Sequence, residues 1–303
     1  MGDVPNLDLL KKHGELVLYQ TTFPEQTFEH IKDADIAITC KVVIDKELME
    51  KSPQLKLICI AATGLNNVDV EFAKRKNIVI KNVVNYSSHS VAQTTFAIIL
   101  SLLHKIRYYD DFVKSGSYAS NDMFTHYGPD FWELSDKHFG IIGMGNIGKR
   151  VAAIAECFGA KVIYYSTSGN NNHSQYRRLE LDQLMKVSDI ISVHSPLNDK
   201  TNNLITLDKL KLMKPSALIF NTGRGGIVNE ADLAEALNQN MIAGAGVDVY
   251  SKEPVREDNP LLHVKDKNKI ILTPHIAWIS IEARTLLIEK IAFNIDEFVK
   301  NKN

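Results

Sequence analysis

The stretch from Phe139 to Ala155 constrains the fold most: a short apolar run enters Gly140-Ile-Ile-Gly143-Met-Gly145-Asn146-Ile147-Gly148 and continues into Lys149-Arg-Val-Ala-Ala-Ile-Ala155. This is G-x-G-x-x-G between a strand and a helix, the opening of a parallel βαβ unit that binds a nucleotide. Gly143 permits the tight turn, Gly145 lets the backbone approach a pyrophosphate, and Gly148 allows close packing of helix on strand. The helix start at Asn146 and Ile147 offers N–H groups and a partial positive charge to the phosphates. A methyltransferase can use a similar loop, so the cofactor class has to come from residues downstream.

The βα rhythm extends in both directions. In the first hundred residues Leu16-Gln20, Ile36-Cys40, Leu55-Ala62 and Ile78-Val84 read as strands separated by helices. Ser88 to Leu103 reads as a buried helix connecting two domains. Arg107 to Trp132 reads as a loop dense in aromatics, serving either as core cover or as an arm against a second subunit. Six further strands follow: Phe139-Gly143, Val162-Ser166, Asp189-His194, Ala217-Asn221, Ala245-Asp248 and Ile270-Thr273. The final segment, Ser280 to Val299, sets Ile281, Ile288, Ile291, Ile295 and Phe298 on one helical face.

Composition narrows the partners. A chain of 303 residues, 45% hydrophobic and 23% charged, forms a soluble globular protein of two ordinary domains. A net charge of -1 argues against a nucleic-acid or membrane surface and for a small polar substrate. Cys40, Cys59 and Cys157 lack metal-ligand spacing, so no metal site is expected, and the thiols fit a reducing, cytoplasmic setting.

Three polar residues follow apolar runs in the second half of the chain, where strands of a parallel sheet end. Arg224 stands in Asn221-Thr222-Gly223-Arg224-Gly225-Gly226, Glu253 follows Ala245-Gly-Val-Asp248-Val-Tyr-Ser-Lys, and His275 follows Ile271-Leu-Thr-Pro274. Hydride addition to a ketone leaves an alkoxide that needs a proton and a nearby positive charge. His275 can supply the proton, Glu253 can fix its tautomer, and Arg224 can bind a carboxylate bidentately while polarising the adjacent carbonyl.

The end of the second nucleotide-domain strand carries Ser166-Thr167-Ser168-Gly169 in place of the acid that normally holds the ribose 2′-hydroxyl. Loss of the acid removes the repulsion of a 2′-phosphate. No arginine is adjacent, and His173, Arg177 and Arg178 follow further along, so both NAD and NADP remain open.

Together these segments resemble the D-isomer-specific 2-hydroxyacid dehydrogenases over almost the whole chain. The resemblance rests on Gly140-Gly148, Val193-His194-Ser195-Pro196-Leu197, Lys214-Pro215, Asn221-Gly225, Gly246-Val249, Glu253-Pro254 and Thr273-Pro274-His275. It implies two doubly wound α/β parallel-sheet domains: a Rossmann-type dinucleotide domain (101-279) inserted in a flavodoxin-like substrate domain (1-100 and 280-303), with the site in their cleft. It further implies that Arg224, Glu253 and His275 are the catalytic set and that Asp248 contacts the nicotinamide carboxamide. Thr95, Ser166, Thr167, His194, Ser195, Pro196, Thr201, Thr222 and Gly223 would line the cofactor, and Thr63-Gly64-Leu65 would receive the substrate carboxylate. Family members are usually dimers through the nucleotide domain, which tilts residues 107-132 towards an arm.

Within the family, His275-Ile-Ala-Trp278, Ala62-Asp69 and Val91-Ala-Gln93 look most like glycerate dehydrogenases, also called hydroxypyruvate reductases. Trp278 would either narrow the pocket around a short 2-oxo acid or cover the core. The expected substrate is hydroxypyruvate or glyoxylate. The alternatives are a D-lactate-type dehydrogenase on another 2-oxo acid, or a nucleotide-sensing protein like the corepressors that resemble this family.

Overall fold

A computed structural model describes residues 6-170 and 175-301. His173 lies outside the described residues. The chain divides into two compact units, one formed by residues 1-87 and 279-303 and the other by residues 88-278 inserted between them.

The first unit holds a parallel sheet in the order β1-β2-β3, with β1 at Ile36–Thr39, β2 at Leu57–Ile60 and β3 at Val79–Asn82. Helices α1 (Thr27–Ile31), α2 (Lys46–Lys51) and α3 (Val70–Arg75) alternate with the strands. Asp45 and Asp69 cap α2 and α3 by accepting the N–H of Leu48 at 3.0 Å and of Phe72 at 2.9 Å, bonds that satisfy donors a helix start leaves unpaired. Every residue of β2 is buried, as suits a central parallel strand covered on both faces. The C-terminal helix Ile281–Lys300 packs on β2 and on the 3-10 helix Leu7–His13, burying Leu287, Ile288, Ile291 and Ile295. Lys12 Nζ donates to Asp296 at 2.9 Å and His13 bonds the same carboxylate.

Leu16-Gln20, read from its composition as a strand, has no regular structure. Val17 and Leu18 are 59% and 61% exposed, and Tyr19 stacks on the His30 ring at 3.5 Å. An apolar run with no sheet neighbour has no ladder to join.

The second unit opens with α4 (Ser88–Leu103) and α5 (Ile106–Lys114). It then alternates β4 (His138–Ile142), α6 (Asn146–Cys157), β5 (Lys161–Tyr165), β6 (Arg177–Arg178), α7 (Leu181–Val187), β7 (Ile190–Val193), α8 (Leu207–Leu210), β8 (Leu218–Asn221), α9 (Glu230–Asn238), β9 (Gly244–Val247) and β10 (Ile270–Leu272). All pairings are parallel, in the order β10-β9-β8-β7-β4-β5-β6. The two-residue β6 adds a seventh strand to the six expected.

Side chains alternate across this sheet as its period of two requires. Ile142, Ile191, Val193, Ile219 and Val247 join the α7, α8 and α9 side, while Phe139, Ile141, Ile190, Leu218 and Phe220 join the α4 and α6 side. Helix α4 buries Ala92, Phe96, Ile99, Leu102 and Leu103 in that second core. The helix therefore belongs wholly to the inserted unit, whose boundary falls at residue 87/88 where the sequence reading set it at 100/101.

The aromatic stretch is a helix followed by a loop. Phe112 stacks on His126 at 3.7 Å and Tyr108 Oη bonds His126 Nε2 at 3.0 Å, while Phe124 and Tyr127 stand 91% and 81% exposed. Helix α5 buries none of its residues.

Candidate active site

Strand order reverses between β7 and β4, the switch point where open parallel sheets receive ligands beyond their carboxyl ends. At that edge β4 leads into Gly143, β5 into Ser166, β7 into His194, β8 into Thr222, β9 into Asp248 and β10 into Thr273. The sheet therefore collects residues more than a hundred positions apart along one rim.

The glycine loop has the expected form. Gly143 adopts φ 98°, and a Cβ there would stand 2.7 Å from Ser195 Oγ and 2.9 Å from the His194 carbonyl group. On Gly148 a Cβ would reach 2.2 Å from the Gly143 oxygen, so the helix start can press on the loop only without a side chain. On Gly145 it would meet nothing within 4 Å. The first bond of the α6 ladder joins Lys149 N–H to the Gly145 carbonyl at 2.9 Å, so the amides of Asn146, Ile147 and Gly148 precede the ladder. Amides at a helix start, next to a glycine with open space at its Cβ position, fit a pyrophosphate.

Around this loop the other expected cofactor residues divide into two groups. Ser166 is 3% exposed at the β5 end, and Thr167 is half-buried beside it. The Ser195 hydroxyl donates to the Ile142 carbonyl at 3.1 Å, binding the β7 turn to the glycine loop. Thr95 and Thr222 share a bond of 2.9 Å between their hydroxyls, and Thr95 also donates to Val91 at 2.7 Å; both are buried. The Gly223 N–H donates to Asn221 Oδ1 at 3.1 Å.

Two residues have their polar groups turned inward. The Thr201 hydroxyl is fully buried and donates to the Pro196 carbonyl at 2.7 Å, so Thr201 closes the Pro196 turn and presents no group to a ligand. His194 pairs Nε2 with Ser192 Oγ at 2.8 Å, and its Nδ1 is enclosed without a partner. Burial pushes its pKa down to about 3, so the ring is neutral and any ligand contact falls to the backbone of its turn.

The expected pairing of His275 with Glu253 is explicit in the geometry. His275 Nδ1 lies 2.8 Å from both oxygens of Glu253, with each side chain about a quarter exposed. A ring whose Nδ1–H donates to a carboxylate presents Nε2 as the nitrogen that gives and takes a proton. His275 has φ 54°, a left-handed conformation that a β-substituted residue holds only under constraint. Asp248, fully buried, supplies that constraint. Its Oδ1 accepts from Thr273 Oγ1 at 2.6 Å and from Ile276 N–H at 2.8 Å, its Oδ2 from Ala277 N–H at 3.0 Å, and its carbonyl from His275 N–H at 2.9 Å.

Tyr250 ties the pair together: its N–H donates to Glu253 Oε1 at 3.2 Å and its hydroxyl to the Thr273 carbonyl at 3.0 Å. Burial first, then the charges of Asp248, Glu230 and Glu253, push the phenol up to about 12, so it remains a donor. Arg224 is half-buried in the turn after β8, where its Nη1 donates to the Gly223 carbonyl at 2.8 Å and its own carbonyl accepts from Asn221 at 2.9 Å. A Cβ on the next residue, Gly225, would stand 1.9 Å from the Tyr250 oxygen, so the arginine turn lies directly on the backbone leading to Glu253. Asp248 and Tyr250 do not stand out in the sequence as supports of the pair. The signal available was the paired glycine after Arg224, a mark of close backbone approach.

Trp278, partly buried, ends the inserted unit. Thr63, Gly64 and Leu65 belong to the other unit, where the Thr63 hydroxyl donates to Val83 at 3.2 Å and its carbonyl accepts from Asn82 at 2.7 Å. Among the described residues no group of three His, Cys, Asp or Glu could hold a metal ion, and no helix is long and apolar enough to cross a membrane.

Residues 96-277 match the family described as D-isomer specific 2-hydroxyacid dehydrogenase, NAD binding domain. A hydroxypyruvate reductase of Blautia hydrogenotrophica is 36% identical over 296 residues, 96% of this chain and 91% of the relative. Among solved structures, an acyclic imino acid reductase in complex with NADPH and D-Arg superposes with TM-score 0.84 at 34% identity, covering 94% of this chain and 89% of that one. A D-lactate dehydrogenase of Aquifex aeolicus, complexed with NAD and lactic acid, superposes with TM-score 0.85 at 29% identity, covering 97% and 91%.

Proposed function

The chain belongs to the D-isomer-specific 2-hydroxyacid dehydrogenases, nicotinamide-dependent oxidoreductases acting on a CH–OH group, and from that premise we propose that it reduces hydroxypyruvate or glyoxylate to the corresponding 2-hydroxy acid. The observation that carries this reading is the His275–Glu253 pair, 2.8 Å from Nδ1 to each carboxylate oxygen, on the same sheet edge as Arg224 and the glycine loop.

Gly143, Gly145 and the start of α6 would hold a nicotinamide dinucleotide, which would supply the hydride. Arg224 binds the substrate carboxylate through its planar fork and polarises the neighbouring carbonyl. His275 delivers a proton from Nε2 to the carbonyl oxygen as negative charge develops there, and Glu253 holds the ring in the tautomer that makes this transfer possible. The inserted unit would carry the dinucleotide, and Thr63, Gly64 and Leu65 of the first unit are proposed to receive the substrate carboxylate. Trp278 restricts the size of the substrate side chain. The exposed rings at Phe124 and Tyr127 support a homodimer, and the three free cysteines suit a reducing cytoplasm.

A steady-state panel of 2-oxo acids with NADH and NADPH tests the substrate. Hydroxypyruvate and glyoxylate should exceed pyruvate in kcat/KM by roughly tenfold, a difference of about 1.4 kcal/mol in transition-state binding. A panel in which 2-oxoisocaproate or phenylpyruvate is fastest defeats the proposal. So does a reaction that runs only when an amine is added to form the imine, as the structural likeness to an imino acid reductase would favour.

A further inference from the structure

The nucleotide has a distinguishing position, the adenosine ribose 2′ carbon, and the turn after β5 is built for one of its two forms. Tyr165 ends β5 with its carbonyl accepting the Gly143 N–H at 3.0 Å, so the following turn stands beside the glycine loop. The turn closes with Gly169 N–H on the Ser166 carbonyl at 3.3 Å. Between Lys161 and Asn170 there is no aspartate or glutamate, the group that would bond a ribose hydroxyl and repel a phosphate. The carboxylate of the preceding helix, Glu156, is engaged by Tyr176 Oη at 2.8 Å and Gln175 Nε2 at 3.1 Å.

Arg178 completes the arrangement from a distance the sequence conceals. Strand β6 pairs with β5 in a register that sets Arg178 opposite Tyr164, and Arg178 Nη1 donates to the Gly169 carbonyl at 2.9 Å. The sheet edge thus returns a guanidinium to a turn nine to twelve positions upstream in sequence. A guanidinium has five N–H donors in a plane, and the bond to Gly169 commits one. The exposed charge stands against a turn of hydroxyls without an acid.

We infer that Arg178 and the turn Ser166–Ser168 form a 2′-phosphate subsite, making NADP(H) the preferred nucleotide. The inference rests on the dehydrogenase reading above. Dissociation constants for NADP+ and NAD+, measured by calorimetry on the intact chain and on Arg178→Ala, Arg178→Lys and Ser166→Asp, test it, with circular dichroism to verify each fold. The wild type should bind NADP+ at least tenfold more tightly than NAD+. Arg178→Ala should shift the ratio of the two constants towards NAD+ by roughly ten- to a hundredfold, the range for hydrogen bonds to a charged group. Arg178→Lys should recover part of the shift, and Ser166→Asp should reverse the preference by repulsion.

Equal or tighter binding of NAD+ by the wild type overturns the inference, as does a ratio that Arg178→Ala leaves unmoved. If neither nucleotide binds, this inference and the dehydrogenase reading fall together. If Arg178-dependent NADP+ binding is present and no 2-oxo acid is reduced, the reading of the reaction falls and the phosphate subsite stands.

Discussion

At the scale of single residues, the carboxylate of Asp248 does for the loop around His275 what Glu253 does for the imidazole. It accepts three hydrogen bonds from residues 273, 276 and 277, on both sides of a histidine in a left-handed backbone. Asp248→Asn replaces one acceptor oxygen with a donor facing a backbone N–H or hydroxyl, and the loop then loses its anchor. A fall in kcat of about 10–100-fold is expected, approaching the roughly hundredfold or greater loss of His275→Ala, with the dissociation constant of the nucleotide changed little. A nucleotide constant raised tenfold with kcat intact would instead assign Asp248 to the nicotinamide. The placement of Arg224, Glu253 and His275 past strand ends was legible in the sequence because each follows an apolar run, and such runs end at a sheet's carboxyl edge. The anchoring by Asp248 was not legible, since its partners lie 25 to 29 positions away and their donors are mostly backbone groups with no side-chain signature.

At the scale of elements, local pattern served well where the surroundings agreed with it. The glycine loop and α4 carry their own periodicity and were read correctly as segments. Three segments escaped, each for its own reason. Strand β6 has two residues, both arginine, and exists only because β5 offers a free edge. Leu16-Gln20 has the apolar content of a strand and no neighbour to pair with. Helix α5 was hidden in a stretch read as loop, because its tyrosines and phenylalanine pair with His126 and Phe131 of the segment that follows. Those internal contacts leave Phe124 and Tyr127 outward, with Met123 at 52% exposure beside them. If these rings seat against a second copy, Phe124→Ser with Tyr127→Ser should convert a dimer to monomer in analytical ultracentrifugation at micromolar concentration. An unchanged sedimentation coefficient removes this surface from any subunit interface.

For the whole molecule, the enclosed ring of His194 makes stability depend on pH in one direction. Its folded pKa of about 3 lies below the ordinary histidine value of 6.5, so above about pH 6.5 both folded and unfolded chains carry it neutral and stability is unaffected. As pH falls from 6.5 towards 3, the unfolded chain takes up a proton that the folded chain refuses. Unfolding free energy should then drop by at most roughly 1.4 kcal/mol per pH unit from this residue. Urea denaturation at pH 7, 6, 5 and 4 should register the decline, and His194→Asn should flatten it; an identical slope in the variant would place the acid sensitivity elsewhere.

The insertion of one unit within the other sets an order of events during synthesis. Strands β1 to β3 are made before Leu287, Ile288, Ile291 and Ile295 of the helix that packs on β2, which follow only after the inserted residues 88-278. At about 5–20 residues per second the first sheet waits roughly ten to forty seconds for its last helix. The inserted unit has all of its strands and both of its cores in one uninterrupted stretch and can condense during that interval. The segment made earlier therefore completes its packing last, when the C-terminal helix covers its apolar face.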